Sequence, residues 1–181
     1  WIGYNVSSNG IVRDLNVIGT DVSNEGKSKI GGIAGMNYGL IENCSFTGLV
    51  SGKEMVGGIV GANYGRLIDC RCNGTVSGKT MVGGIARYNN GSIYSCWNKA
   101  KVNPTVWQKD EEETAAANPV TALTQMEIAN IINANNANTT TDIGGIVGYS
   151  DYIVYVCNNY GTVGYPHYGY NIGGIAGRQS N

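Results

Sequence analysis

Residues 36–61 have the sequence MNYGLIENCSFTGLVSGKEMVGGIVG, and residues 62–87 have the sequence ANYGRLIDCRCNGTVSGKTMVGGIAR. Both stretches are 26 residues long and carry Asn-Tyr-Gly, Cys, Val-Gly-Gly-Ile and the intervening Ser-Gly-Lys at the same offsets. Similarity at a fixed period of this length is typical of solenoid proteins, in which each repeat forms one coil that packs on the next. Repetition therefore governs the fold that we expect.

The same pattern extends over most of the 181-residue chain. Gly-Gly-Ile units begin at residues 31, 57, 83, 144 and 173, which are steps of 26, 26, 61 and 29 residues. A cysteine follows the first four units at a constant distance of thirteen residues, and an upstream copy has a leucine at the equivalent place. These residues form one predicted inner ladder: Leu15, Cys44, Cys70, Cys96 and Cys157. The isoleucines of the units form a second: Ile33, Ile59, Ile85, Ile146 and Ile175. Residues 1–181 are thus predicted to be a single repeat domain.

Apolar residues in each repeat occur in short groups bounded by glycine or asparagine, which indicates strands of three to six residues. Cys44 and Phe46 flank a polar residue, as expected where alternate side chains point inward. The three-residue step from Ile41 to Cys44 interrupts this alternation, so we expect a bulge or a corner there, or else burial on both faces. The predicted fold is all-β: a parallel β-helix, or β-solenoid, of about five coils, right-handed because parallel crossovers take that hand.

Glycine and asparagine have predicted structural roles in this fold. The Gly-Gly pairs remove side chains where another coil approaches closely or where φ is positive. Asn37-Tyr38-Gly39 and its copies are predicted turns, in which the asparagine binds its own backbone and stacks on the asparagine of the next coil.

An insertion of about 35 residues interrupts the third full repeat, between residues 103 and 142. Pro104 and the acidic residues 110–113 predict an exposed loop. Thr124 and Glu127 have the spacing of a capping box, and the apolar stripe that follows predicts a helix over about 125–135. The solenoid is therefore expected to carry one inserted, helix-containing loop.

Composition and motifs argue against several functions. The net charge is −1 and only 14% of residues are charged, so a nucleic-acid partner is not expected. No apolar run is long enough to cross a bilayer. His167 is the only histidine, and Cys70-x-Cys72 is the only close cysteine pair, so neither a zinc site nor a nucleophile with its base is indicated. We therefore predict free buried cysteines, no metal or other cofactor, and no enzymatic activity.

Aromatic residues crowd the last repeat and define a candidate ligand surface. Tyrosine combines an apolar face with a polar tip, which suits binding to sugars or proteins. The predicted surface comprises Tyr152, Tyr160, Tyr165, His167, Tyr168 and Tyr170. The alternative is that these tyrosines only pack on the glycine-rich solenoid or cover its end.

The segments NYGLIENC, GLV and MVGGIVG, which recur four to five times in phase, resemble the GLUG repeat of bacterial surface proteins. This resemblance implies a secreted module at the bacterial cell surface, flanked by other repeats or domains of a longer protein. The chain opens at Trp1 within a repeat, which indicates a fragment of a longer protein. We expect an adhesin or stalk segment that forms a rigid rod and presents a binding surface to a host or bacterial glycan or protein.

Two alternatives are kept open. The chain could be an accessory, non-catalytic region of an IgA-protease-like surface peptidase. Less favoured is a β-helix enzyme acting on polysaccharides, which would need clustered carboxylates and a basic residue, with Glu42, Asp69 and Arg71 as the residues to test.

Overall fold

The structure, a computed structural model, describes residues 3–24, 29–104, 141–164 and 170–180. Over these ranges every strand pairs in parallel with its counterpart in the next repeat, and the chain winds through about five coils. The predicted all-β parallel solenoid is confirmed. The right-handed sense of the coil stays a prediction. The predicted helix of the insertion lies outside the described residues.

Each coil contributes strands to four parallel sheets, which we name A to D in the order in which the chain visits them. Sheet A contains β1 (Gly3–Val6), β5 (Ala34–Asn37), β9 (Val60–Asn63), β13 (Ala86–Asn89), β18 (Val147–Ser150) and β22 (Ala176–Gln179). Sheet B contains β2 (Ile11–Arg13), β6 (Leu40–Glu42), β10 (Arg66–Ile68), β14 (Ser92–Tyr94) and β19 (Val154–Tyr155).

Sheets C and D complete the coil. Sheet C contains β3 (Asn16–Asn24), β7 (Ser45–Gly52), β11 (Arg71–Ser77), β15 (Trp97–Asn98), β16 (Lys101–Val102) and β20 (Asn158–Asn159). Sheet D contains β4 (Ile30–Gly31), β8 (Glu54–Gly57), β12 (Thr80–Gly83), β17 (Thr141–Gly144) and β21 (Tyr170–Gly173). The insertion lies between β16 and β17, so the chain leaves sheet C and re-enters the solenoid in sheet D.

A sharp corner joins sheets B and C in every coil, at the place where the alternation of apolar residues breaks. One residue at each corner has a left-handed backbone: Asp14, Asn43, Asp69, Ser95 and Val156, with φ between 49° and 56°. Asparagine and aspartate tolerate this conformation better than other residues that carry a Cβ. The three-residue step between Ile41 and Cys44 is therefore a corner.

The interior is a set of apolar columns that run along the solenoid axis. Ile41, Phe46, Val56 and Ile59 of the second coil are at most 1% exposed, and their counterparts in the third coil are equally buried. The ends are more open, and Ile175 is 41% exposed. The expectation that Ile175 continues a buried ladder is wrong, because no described coil covers the last one.

A column of buried amides lines the end of sheet A. Asn37 Nδ2 donates to Asn63 Oδ1 at 2.9 Å, and Asn63 Nδ2 donates to Asn89 Oδ1 at 2.8 Å. Asn37 Oδ1 also accepts from the backbone N–H of Gly39 at 3.1 Å. Each asparagine thus closes its own turn and links it to the next coil, as the Asn-Tyr-Gly motif predicts.

In the first four Gly-Gly pairs, the second glycine lies where two coils nearly touch. A Cβ at Gly58 would lie 2.1 Å from the carbonyl oxygen of Gly84 and 2.4 Å from Cys72 Sγ, and Gly32, Gly84 and Gly145 are equally crowded. None of these four has a positive φ. Of the two predicted reasons for the pair, close approach is the one that applies.

The first coil differs from the others by one residue in sheet C. The pairing of β3 with β7 shifts between Ile18 and Thr20, so that Thr20 lies opposite Gly48. Gly19, with φ of 66°, bulges out into open space. The added residue in this strand is absorbed as a β-bulge, so Gly19 has no partner in the second coil.

Candidate ligand-binding surfaces

The cysteines lie inside the solenoid. Cys44, Cys70 and Cys96 are buried at the inner side of successive B–C corners, Cys157 is half-buried at the same place in the last coil, and all five cysteines are free. Leu15, the predicted first member of the ladder, packs half-buried against the core. The thiols bind backbone oxygens, as in the 3.3 Å bond from Cys70 Sγ to Ile68 O. Cys44, Cys70 and Cys96 therefore belong to the interior and offer no surface for a ligand.

Position within the column changes thiol acidity. Burial raises the pKa of Cys72 to about 12. Hydrogen bonding with the neighbouring Cys96 thiol lowers the pKa of Cys157 to about 7. Because the thiolate is the nucleophile, exposure and acidity together single out Cys157 as the reactive cysteine.

We expect iodoacetamide to alkylate Cys157 in the folded protein while Cys44, Cys70, Cys72 and Cys96 are protected. The rate at Cys157 should increase as the pH is raised through about 7, because its thiolate forms there. Mass spectrometry of peptides after timed labelling measures both effects, with urea-unfolded protein as the control in which all five cysteines react. Equal labelling of Cys70 and Cys157 in the folded protein would contradict the assigned burial.

One outward face carries a row of four tyrosines along sheet A. The rings of Tyr38 and Tyr64 are stacked with centroids 4.9 Å apart. The ring centroids are 5.8 Å apart between Tyr64 and Tyr88 and 5.7 Å apart between Tyr88 and Tyr149. The Arg178 guanidinium lies 4.6 Å from the centre of the Tyr149 ring. This row spans four coils, but its rings mainly contact one another.

Two polar groups within this row are held by their neighbours. The Tyr88 hydroxyl donates to Asp151 Oδ2 at 2.5 Å, and burial together with this carboxylate raises the pKa of Tyr88 to about 12. Arg87 stands where neighbouring coils have glycine and is only 8% exposed. Its Nη2 donates to Met81 Sδ at 3.0 Å, and burial lowers its pKa. The Tyr88 hydroxyl is thus bound by a carboxylate, whereas Arg87 Nε is buried and has no hydrogen-bond partner among the described residues.

A second outward face, on sheet C, centres on Trp97. The Arg71 guanidinium of the preceding coil lies 5.8 Å from the centre of the indole, and the Lys99 ammonium lies 5.0 Å from it. Both distances are within cation–π range. We call Arg71, Trp97 and Lys99 the Trp97 patch.

The Trp97 patch borders a shallow depression on sheet C. Its volume is about 190 Å³, and it is lined by Ser45, Phe46, Thr47, Arg71, Cys72, Asn73 and Trp97. This is well below the roughly 300–1,000 Å³ of a typical small-molecule pocket. The face is therefore an open surface with one ring-sized hollow.

Further exposed aromatic rings lie near the Trp97 patch. Tyr94 and Tyr155, at the end of sheet B, are stacked with centroids 5.6 Å apart and are 44% and 61% exposed. Tyr160, 67% exposed, follows β20 and donates its backbone N–H to Asn98 O at 2.8 Å, which places it one coil beyond Lys99. Coils four and five thus carry Tyr94, Trp97, Tyr155 and Tyr160 around the B–C corner, a group that we call the corner aromatics.

The tyrosines predicted as a ligand surface are not all brought together. Tyr152, 55% exposed, follows β18 of sheet A, whereas Tyr160 follows β20 of sheet C. Tyr170 begins β21 of sheet D, and Tyr165, His167 and Tyr168 lie outside the described residues. Of the predicted set, Tyr160 is the residue that joins the corner aromatics.

Tyr94, Trp97 and Lys99 were not predicted from the sequence as binding residues. A usable signal was the repeat offset, since Trp97 stands 26 residues after Arg71 and therefore beside it in the next coil. The tyrosine density of the last repeat drew attention to residues 149–170 instead.

The residues that the polysaccharide-enzyme alternative would require contact other groups. Arg13 lies 3.8 Å from a carboxylate oxygen of Glu42. Arg71 Nη2 donates to Asn43 Oδ1 at 3.3 Å and lies over Trp97. Within the four described ranges, no group of three or more His, Cys, Asp or Glu side chains could hold a metal ion, and no helix is long and apolar enough to span a membrane.

No family model, curated protein or solved structure matches this chain. The GLUG resemblance therefore stays a prediction that rests on the quoted motifs.

Proposed function

We propose that this chain is a non-enzymatic module of a bacterial cell-surface protein: a stiff rod that presents the corner aromatics to a glycan. The observation that carries the proposal is the exposure of tyrosine rings on two adjacent coils, since Tyr94 of the fourth coil is 44% exposed and Tyr155 and Tyr160 of the fifth coil are 61% and 67% exposed. Large apolar rings grouped in water mark sites of interaction.

The fold supports this role mechanically. Each coil hydrogen-bonds to its neighbours through strands of four parallel sheets, and buried apolar and amide columns run through the middle coils. Side chains on the outer faces are therefore fixed at the spacing of neighbouring strands, about 4.8 Å. Aromatic faces on such a frame are preorganised to stack on sugar rings, which lowers the entropic cost of binding.

A glycan array with the intact chain tests the proposal. We expect retention of one or more glycans and a signal lowered at least about fivefold by Tyr155→Ala, since a stacked aromatic contributes on the order of 1 kcal/mol beyond its buried area. Tyr4→Ala is the matched control, because Tyr4 is 58% exposed at the opposite end of the solenoid.

Two results would overturn the proposal. The first is an array on which the intact protein binds nothing. The second is cleavage of a bound glycan, detected by mass spectrometry of the sugar after incubation, because that would make the chain an enzyme.

A further inference from the structure

We infer that the Trp97 patch is the binding site for an acidic polysaccharide, with a uronic acid packed against the patch and its carboxylate bound by Arg71 and Lys99. This inference rests on the proposed glycan-binding function and names the chemical class of its ligand.

Two cations from adjacent coils lie over the same indole ring, that of Trp97. Arg71 comes from the coil before Trp97 and Lys99 from the same coil, and their charged groups lie 5.8 and 5.0 Å from the indole centre. Because both cations lie over the indole, a sugar packed against the patch would have positive charge from two coils beside it. A uronic acid carries a carboxylate that binds such charged groups.

Arg71 and Lys99 have no acidic partner among the described residues. Among the described residues, neither Arg71 nor Lys99 forms an ion pair, although Asp69 precedes Arg71 by only two residues at the corner. The one hydrogen bond of the Arg71 side chain goes to a neutral amide, Asn43 Oδ1, at 3.3 Å. Most donors of the guanidinium fork thus stay available, and their planar geometry matches a carboxylate.

Positive charge continues beyond the Trp97 patch along the same face of sheet C. Lys101, exposed in β16, follows Lys99 by two residues on sheet C. The acidic residue at the same register position as Lys101 is Asp21 in the first coil, which is three strands away. An open face with one hollow of about 190 Å³ accommodates a single ring of an extended chain. A polymer with repeated negative charge fits this face better than a small molecule does.

The test compares two oligosaccharides that differ in charge. A hyaluronan hexasaccharide alternates glucuronate with N-acetylglucosamine, whereas chitohexaose contains only neutral N-acetylglucosamine. By isothermal titration calorimetry at low salt, we expect the intact chain to bind hyaluronan about tenfold more tightly, because carboxylates accept charge-assisted hydrogen bonds from Arg71 and Lys99. Raising the salt concentration should reduce this difference.

Variants assign the effect to the patch. Arg71→Gln with Lys99→Gln should abolish the preference for hyaluronan and leave chitohexaose binding unchanged, whereas Trp97→Ala should weaken both. Arg66→Gln with Lys53→Gln removes the same charge from exposed positions off the patch and should preserve the preference. Circular dichroism melting checks that every variant is folded.

The outcomes separate this inference from the proposed function. Equal binding of the two sugars, or a preference that survives the Arg71 and Lys99 substitutions, overturns the acidic-ligand site. Glycans retained on the array with no binding of hyaluronan also overturn it while leaving the proposed function intact. An empty array removes both.

Discussion

Gly58→Ala is expected to destabilise the solenoid by more than about 4 kcal/mol or to prevent it from folding. The added Cβ would lie 2.1 Å from the Gly84 carbonyl oxygen and 2.4 Å from Cys72 Sγ, and the carbonyl is backbone that cannot turn aside. Relief requires the two coils to separate, which would break hydrogen bonds such as Ile59 N to Ile85 O at 2.8 Å. Urea denaturation followed by circular dichroism measures the loss.

Gly174→Ala provides the matched control for this prediction. Gly174 occupies the same position in the last Gly-Gly-Ile unit, but a Cβ there would have no atom within 4 Å. We expect its free energy of unfolding to change by less than about 0.5 kcal/mol, as at ordinary surface sites. Similar losses at Gly58 and Gly174 would show that glycine is required for backbone conformation and not for the close approach of coils.

Asn63→Ala is expected to cost about 3–5 kcal/mol, since the asparagine side chain makes four hydrogen bonds and each contributes about 0.5–1.5 kcal/mol net. Asn63 is fully buried, accepts from Asn37 Nδ2 at 2.9 Å and donates to Asn89 Oδ1 at 2.8 Å. Its Nδ2 also lies 3.2 Å from the carbonyl oxygens of Gly65 and Ser92. Alanine would remove these four bonds, leaving Asn37 Nδ2 with its contacts to Gly39 O and Arg66 O at 3.3 and 3.2 Å and Asn89 Oδ1 with its contact to Gly91 N at 3.3 Å. The midpoint and slope of urea unfolding measure the effect.

Asn90→Ala tests whether the amide ladder, and not asparagine content in general, is responsible. Asn90 is exposed and directly follows Asn89, and the bond it makes to Asn63 O comes from its backbone N–H, which alanine keeps. Its substitution should change stability by less than about 0.5 kcal/mol. A loss at Asn63 no larger than the loss at Asn90 would contradict a stabilising ladder.

Residues inside the coil were predictable because burial and backbone pairing restrict them. The period of 26 residues places Cys70 on Cys44 and Ile59 on Ile33, and only apolar side chains, small side chains or mutually bonded amides fit such columns. Departures from this regularity occur at the two ends of the solenoid. A bulge at Gly19 and the exposure of Ile175 arise in the first and last coils, where the pattern is constrained by a neighbour on one side only.

The sequence by itself determined the parallel stack, the inward columns, the turns closed by asparagine and the need for paired glycines. Tertiary structure decided the direction of each corner and the grouping on the outer faces, above all the positions of Arg71 and Lys99 around Trp97. Outward side chains face water, so many residue types are tolerated there and no periodic pattern marks them. Their partners come from other coils, and only the folded register brings those partners together.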